Sequence, residues 1–190
     1  MVKKSWEHED IMKLKQGNPG MWKRFIDENN GMTYSLASSF SANDEEKKDL
    51  CMEIFSRAFE NISSFREESK LTTWFYRLAY NHLLNFARGR KDTILSASDM
   101  EGDLENIACE DQSEPCEILD LQKRQDILKT ALEKLPVRYK SALVLYYYED
   151  RDYREIAEIM DIPLGTAKTI LYRAKEQLRI ELNPLLKEII

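Results

Sequence analysis

Residues 152–180 read DYREIAEIMDIPLGTAKTILYRAKEQLRI, a pattern of two helices joined by a tight turn. Asp152 followed by Glu155 has capping-box spacing, so the aspartate accepts free backbone N–H groups while Glu155 reaches back, and a helix starts near Tyr153. Ile156, Ala157, Ile159 and Met160 supply its buried face. Asp161 stands where the chain turns, and aspartate tolerates a left-handed backbone better than most residues that carry a Cβ. Pro163 fits the first turn of a second helix, where its missing N–H costs nothing. Along that helix Ala167, Leu171, Ala174 and Leu178 make an apolar stripe. The other face carries Thr166, Lys168, Thr169, Tyr172 and Arg173. Hydroxyls and cations of this kind meet base edges and phosphates when a helix lies in the major groove of DNA. Many short helix pairs are amphipathic; the cap, turn, proline and basic face together specify a helix-turn-helix.

The rest of the chain gives that motif its setting. Its 190 residues, 43% of them hydrophobic, suit one domain or two small ones. No apolar run approaches the roughly 20 residues that a bilayer requires, and the start, MVKKSWEHED, shows no signal peptide. A cytoplasmic location is the resulting expectation. Cys51, Cys109 and Cys116 are an odd number without CxxC spacing, and only His8 and His82 are available to join them, so neither a disulfide framework nor a metal site is expected. No cofactor is expected either.

A net charge of −6 is unusual for a DNA binder until it is mapped along the chain. Of the 34 acidic residues, ten fall in 92–120, which holds no Lys or Arg; 24 remain against 28 basic residues elsewhere. This segment also carries Ser96, Ser98, Gly102, Ser113 and Pro115 with weak hydrophobic periodicity, and reads as a flexible acidic linker. It is either a solvated spacer or a functional anionic strand.

The expected fold is all-α: two small helical domains, 1–91 and 121–182, joined by the linker, with a tail at 183–190. In the C-terminal domain one helix carries Leu121, Ile127, Leu128, Ala131, Leu132 and Leu135 and ends at Pro136; a second carries Tyr139, Ala142, Leu143, Leu145 and Tyr146. Asn183-Pro184 is expected to break the last helix, and the following LLKEII either caps the domain or binds a partner. In the N-terminal domain helices are expected over 21–40, with a kink or split at Asn29, Asn30 and Gly31, over 44–60, and over 72–90.

Residues 64–91 combine six cations, Arg66, Lys70, Arg77, Arg88, Arg90 and Lys91, with Phe65, Trp74, Phe75, Tyr76 and Tyr80. Cations that follow a backbone and rings that stack on bases are how single-stranded nucleic acid is held. Trp74 and Phe75 are assigned to the core, while Tyr76, Tyr80, Arg77 and Asn81 are expected at the surface, with Asn85 and Arg88 continuing the face that Arg77 and Asn81 begin. His82 falls on the apolar face and is read as a packed histidine.

With both halves laid out, the chain resembles the sigma-70 family of bacterial RNA polymerase sigma factors, in its extracytoplasmic-function (ECF) group. The resemblance covers about residues 10–182. It rests on DLCMEIFSRAF (49–59), FREESKLTTWFYRLAYNHLLNFARGRK (65–91), LPVRYKSALVLYYYE (135–149) and YREIAEIMDIPLGTAKTILYRAKEQL (153–178), in that order and spacing. It implies a factor that binds core RNA polymerase and directs promoter-specific initiation without catalytic activity of its own. Asp49 and Glu53, with Leu50 and Met52, would dock on the clamp helices of the largest subunit, and the C-terminal part on the flap. The loop 63–73 and the helix after it would capture the melted minus-10 strand through Phe65, Arg66, Lys70, Thr73, Tyr76, Arg77, Tyr80, Asn81, Asn85 and Arg88. Thr166, Lys168, Thr169, Ile170, Tyr172 and Arg173 would read the minus-35 duplex. The linker would run through the polymerase interior, and an anti-sigma factor would be a further partner.

The sequence departs from the family pattern at several positions. Asp161 stands where glycine is usual, Ile170 where arginine is usual, Met52 where glutamine is usual, and Leu71 where an aromatic is usual. Ile170 therefore predicts an altered minus-35 preference. The alternative class is a conventional helix-turn-helix regulator with an N-terminal sensing or dimerisation domain, which has no need for the basic, aromatic stretch at 72–90.

Overall fold

The computed structural model describes residues 6–89, 121–148 and 150–187; the acidic segment, with Cys109, Cys116, Arg90 and Lys91, lies outside them. The described residues form eight α-helices: α1 (His8–Lys15), α2 (Pro19–Ala37), α3 (Asp44–Asn61), α4 (Leu71–Gly89), α5 (Leu121–Glu133), α6 (Val137–Leu143), α7 (Tyr153–Met160) and α8 (Leu164–Lys187). A 3₁₀ turn at Ile62–Ser64 follows α3, and a π-helical turn at Val144–Tyr148 extends α6.

Side-chain caps start three of these helices, α2, α3 and α7. Asn18 accepts from the Met21 N–H at 3.1 Å and Pro19 follows it, which fixes the start of α2. Asn43 accepts from the N–H groups of Glu45 and Glu46, and three acids in the first turn of α3 complement its dipole. Asn29–Gly31 do not split the helix, and α2 is continuous from Pro19 to Ala37. Asn29 is compatible with the helix because its amide has partners: Nδ2 donates to the Phe25 carbonyl at 2.7 Å and Oδ1 accepts from the Tyr76 hydroxyl.

Phe25 is fully buried at the centre of the N-terminal half, edge-on to Trp6, Trp22 and Phe75, while Phe55 stacks on Phe75 at 5.2 Å. The buried cluster does not stop there. It continues through Leu83 into Leu135, Leu145, Ile156, Ile159 and Leu171 of the C-terminal half, so the two halves share one apolar core. Helix α4 lies at the junction, with α2 and α3 on one side and α7 on the other.

One expected helix end needs correction, and one helix was not expected. Pro184 does not end α8, which continues to Lys187. Proline removes one i→i−4 bond, here the one to the Ile180 carbonyl, and Ile180 is 59% exposed, so water can take the place of the missing N–H. Helix α1, not expected from the sequence, packs against α2. Ile11 and Leu14 are its only buried residues, too short a stripe to stand out as a periodicity.

Candidate nucleic-acid interface

The helix-turn-helix forms as its residue types require. Asp152 accepts from the N–H groups of Arg154 and Glu155, both at 2.8 Å, and these bonds hold its carboxyl below the usual carboxylate range. Glu155 does not reach back to complete a capping box. Its carboxylate is engaged by Lys70 at 2.8 Å and Arg151 at 3.3 Å, cations stronger than a backbone N–H as partners. Asp161 adopts the left-handed region at φ 55°, and the Ile162 N–H closes the turn on the Ala157 carbonyl at 3.0 Å. The second helix then begins at Leu164, with the Pro163 carbonyl accepting from the Ala167 N–H.

On α8, Lys168 is exposed and Thr166, Thr169, Tyr172 and Arg173 are half-buried. The Thr169 hydroxyl donates to the Gly165 carbonyl at 3.0 Å. Ile170, expected to meet bases, is instead 6% exposed. Ala167, Ile170, Leu171 and Ala174 follow the i, i+3, i+4, i+7 spacing of an inward face, and Ile170 belongs to it.

The strand-capturing residues divide in the same way. Arg66, Lys70, Arg77, Asn81, Asn85 and Arg88 are exposed. Phe65, Thr73, Tyr76 and Tyr80 are buried, contrary to expectation. Phe65 packs on Trp74 at 5.4 Å, and Tyr80 lies edge-on to Phe40. Tyr76 is bonded to Asn29 and covered by the Arg151 guanidinium 5.2 Å from its ring, and burial pushes the Tyr80 hydroxyl up to about 12. Thr73, Tyr76, Tyr80 and Leu83 form a second inward stripe beside that of Leu71, Phe75 and Ala79, because α4 is covered from two sides.

The loop before α4 is held by α1. Glu67 takes a left-handed backbone at φ 61°, and its carboxylate meets His8 Nδ1 at 2.8 Å and Lys15 Nζ at 3.6 Å. The bond to His8, more than the charges, keeps the Glu67 carboxyl below its ordinary value. Arg77 pairs with Asp161 at 2.9 Å, across the two halves. Sequence reasoning missed these partners, having read Glu155 as a cap and Asp161 as a turn residue.

On α3, Asp49, Met52 and Glu53 are exposed, but Leu50 is 2% exposed and belongs to the core. Met52 borders a cleft of about 540 Å³ lined by Ile26, Asn30, Tyr34, Lys48, Cys51 and Phe55. Glu53 meets His82 Nε2 at 2.8 Å, so the packed histidine of α4 has a polar partner at the edge of that face. Cys51 is buried, which pushes its thiol up to about 11. Among the described residues no group of three or more His, Cys, Asp or Glu is arranged to hold a metal, and no helix is long and apolar enough to cross a membrane.

A helix-turn-helix beside an exposed helix face that carries Arg77 and Arg88 is the equipment of a DNA-binding protein. Comparison with known proteins gives the family. The model of sigma-70 region 2 matches residues 25–93 and that of sigma-70 region 4 matches 125–178. The ECF RNA polymerase sigma factor SigW of Bacillus subtilis is 30% identical over 180 residues, covering 92% of this chain and 96% of that protein. Among solved structures, CnrH in complex with the cytosolic domain of CnrY superposes with a TM-score of 0.64 at 16% identity, over 93% of this chain and 96% of that one. The sigma factor RpoE in complex with the anti-sigma factor NepR, from Bartonella quintana, does so with 0.59 at 24% identity, over 84% and 97%. The chain belongs to the sigma-70 family, among its ECF sigma factors, and acts in promoter-specific transcription initiation with RNA polymerase. The conventional-regulator alternative is not favoured.

Proposed function

We propose that residues 1–91 hold the polymerase-docking and minus-10 surfaces and residues 121–182 the minus-35 surface, with the two DNA contacts divided as the exposed residues divide. Lys168, Thr166, Thr169, Tyr172 and Arg173 read the minus-35 duplex, cations on phosphates and hydroxyls on base edges. Arg66, Lys70, Arg77, Asn81, Asn85 and Arg88 follow the opened minus-10 strand, whose unstacked bases must be held at a cost of a few kcal/mol. Asp49, Met52 and Glu53 dock on the clamp helices of core polymerase. The observation that carries this reading is the uninterrupted exposed row Arg77, Asn81, Asn85 and Arg88 on α4, in a helix otherwise buried on two sides.

On this reading the chain acts in the cytoplasm, has no enzymatic activity of its own, and is itself the target of an anti-sigma factor. The test is run-off transcription from a genomic library with purified core enzyme and this chain. Discrete transcripts that require the chain are expected. Their absence on every template rejects the reading.

A further inference from the structure

Residues 65–70, between the 3₁₀ turn and α4, have no regular secondary structure, yet they are fixed at both ends and in the middle. At one end Phe65 is buried against Trp74. At the other, the Lys70 carbonyl accepts from the Trp74 N–H at 3.1 Å, in the first turn of α4. The middle is held by α1. His8 Nδ1 lies 2.8 Å from Glu67 Oε2 and Lys15 Nζ lies 3.6 Å from Glu67 Oε1, so each carboxylate oxygen has its own partner. His8 and Lys15 are seven residues apart, close to two turns, and therefore share one face of α1. Lys15 Nζ also stands 5.9 Å from the centre of the Phe65 ring.

Helix α1 is itself anchored. Ile11 and Leu14 are buried, the Leu14 carbonyl accepts from Trp22 Nε1 at 2.9 Å, and Arg24 Nη1 donates to Asp10 Oδ2 at 3.1 Å while its guanidinium covers the Trp6 ring. Glu67, at φ 61°, holds a backbone conformation that strains a residue with a Cβ, and its two ties to α1 offset that strain. With its carboxylate taken up by α1, Glu67 does not neutralise the exposed Arg66 beside it. We infer that α1 is a splint for the strand-capturing loop, and that His8 and Lys15 are positioning residues for promoter opening: through Glu67 they hold residues 65–70 in the shape that an unpaired strand meets. This rests on the assignment of the loop to the minus-10 strand made above. A loop held in advance does not have to be ordered when the strand arrives, so less of the binding free energy is lost to ordering.

Both ties are partly exposed, with side-chain exposures of 74% for His8, 22% for Lys15 and 28% for Glu67. Each is therefore a modest contribution, and cutting both lowers strand capture by roughly fivefold. Global stability changes little, because the contacts that fix α1 to α2 through Leu14, Trp22, Asp10 and Arg24 are untouched.

The experiment compares the full chain with its His8→Ala/Lys15→Met variant, with Glu67→Gly, and with all three changes combined. Glycine adopts the left-handed region without strain and has no carboxylate to hold. Hydrogen exchange of the free chain reports order in residues 65–70. Holoenzyme made with each protein is placed on a promoter recovered by the run-off selection; permanganate reactivity of unpaired thymines reports opening, and protection of the minus-35 duplex is read in parallel. The expected His8→Ala/Lys15→Met variant exchanges faster in 65–70 but not in α4, opens the promoter about fivefold less, and protects the minus-35 duplex as wild type does. Lys15→Arg, which keeps the cation, opens as wild type. In the Glu67→Gly background the His8 and Lys15 changes have no further effect on opening, because their route runs through Glu67. Unchanged exchange in 65–70 overturns the splint. An equal loss of opening with and without Glu67 also overturns it, since His8 or Lys15 then meets DNA or polymerase directly. Arg66→Ala separates these failures from failure of the underlying reading. Opening lost with Arg66→Ala but unaffected by the His8 and Lys15 changes overturns the splint alone. Opening unaffected by either rejects the assignment of the loop to the strand, and the inference with it.

Discussion

The Tyr76 hydroxyl donates to Asn29 Oδ1 at 3.0 Å in the interior of the N-terminal half, tying the middle of α4 to the middle of α2. The tyrosine is fully buried and its partner 1% exposed, so the bond is shielded from water. Tyr76→Phe leaves the asparagine oxygen without this donor and is expected to cost about 1–3 kcal/mol of stability in urea unfolding. Tyr76→Phe combined with Asn29→Leu is expected to recover much of that loss, since an apolar pair has no orphan to desolvate. A base-stacking role for Tyr76 predicts the reverse pattern: Tyr76→Phe would keep stability, and the ring would still stack.

The helix-turn-helix carries its own pH dependence through Asp152. The folded-state carboxyl lies below its reference value of 3.8, first because of the bond from the Glu155 N–H. A depressed folded pKa contributes stability above the unfolded value, and that contribution fades as pH falls below about 4. Asp152→Ala is expected to lower stability at neutral pH by about 1 kcal/mol, the usual value of an N-cap. Asp152→Asn retains the cap and removes this acid sensitivity. Thermal unfolding of the three proteins between pH 3 and 7 checks both statements; an Asn variant that loses stability in parallel with wild type across that window rejects them.

Much of this architecture was legible in the sequence, and the departures share a cause. Asp152, Asp161 and Pro163 fixed the helix-turn-helix because caps and turns depend on local backbone needs. The row Arg77, Asn81, Asn85 and Arg88 was legible because a solvated face keeps one helical period. Tyr76 and Tyr80 were assigned to solvent because a single inward stripe was assumed, whereas α4 is covered from both sides. Neither the junction with α7 nor the pairs Lys70–Glu155 and Arg77–Asp161, 85 and 84 residues apart, leaves any periodicity to read.

Ile170 shows how that reasoning alters a functional expectation. As a base-contacting residue it would set the minus-35 preference; as a member of the inward face it sets packing. Ile170→Val is expected to cost about 0.5–1.5 kcal/mol of stability and to leave the minus-35 base preference unchanged in a footprint on a promoter library. Arg173→Ala, on the outer face, is expected to do the opposite, costing about 1–3 kcal/mol of DNA binding with little change in unfolding. A preference that shifts with Ile170→Val at unchanged stability returns that side chain to the interface.

The same contrast separates polymerase docking from folding on α3. Leu50 and Met52 are two residues apart, yet Leu50 is 2% exposed and Met52 is 64% exposed beside an apolar cleft. Leu50→Ala empties a core position and is expected to cost about 2–5 kcal/mol of stability. Its effect on polymerase should follow only from the fraction unfolded. Met52→Ala changes stability by less than about 0.5 kcal/mol, because the side chain is mostly in water. At an interface, a protruding thioether beside a cleft is an anchor, and its truncation is expected to weaken core binding by more than about 1 kcal/mol, or roughly fivefold and above. Asp49→Lys adds charge repulsion on the same face and should reduce the association rate in a salt-dependent manner. Titration of labelled core enzyme with each variant, alongside duplex DNA binding by the same preparations, distinguishes the effects. If Met52→Ala and Asp49→Lys bind core as wild type does, polymerase docks elsewhere on the chain. If they lose duplex binding as well, their effect is on the fold.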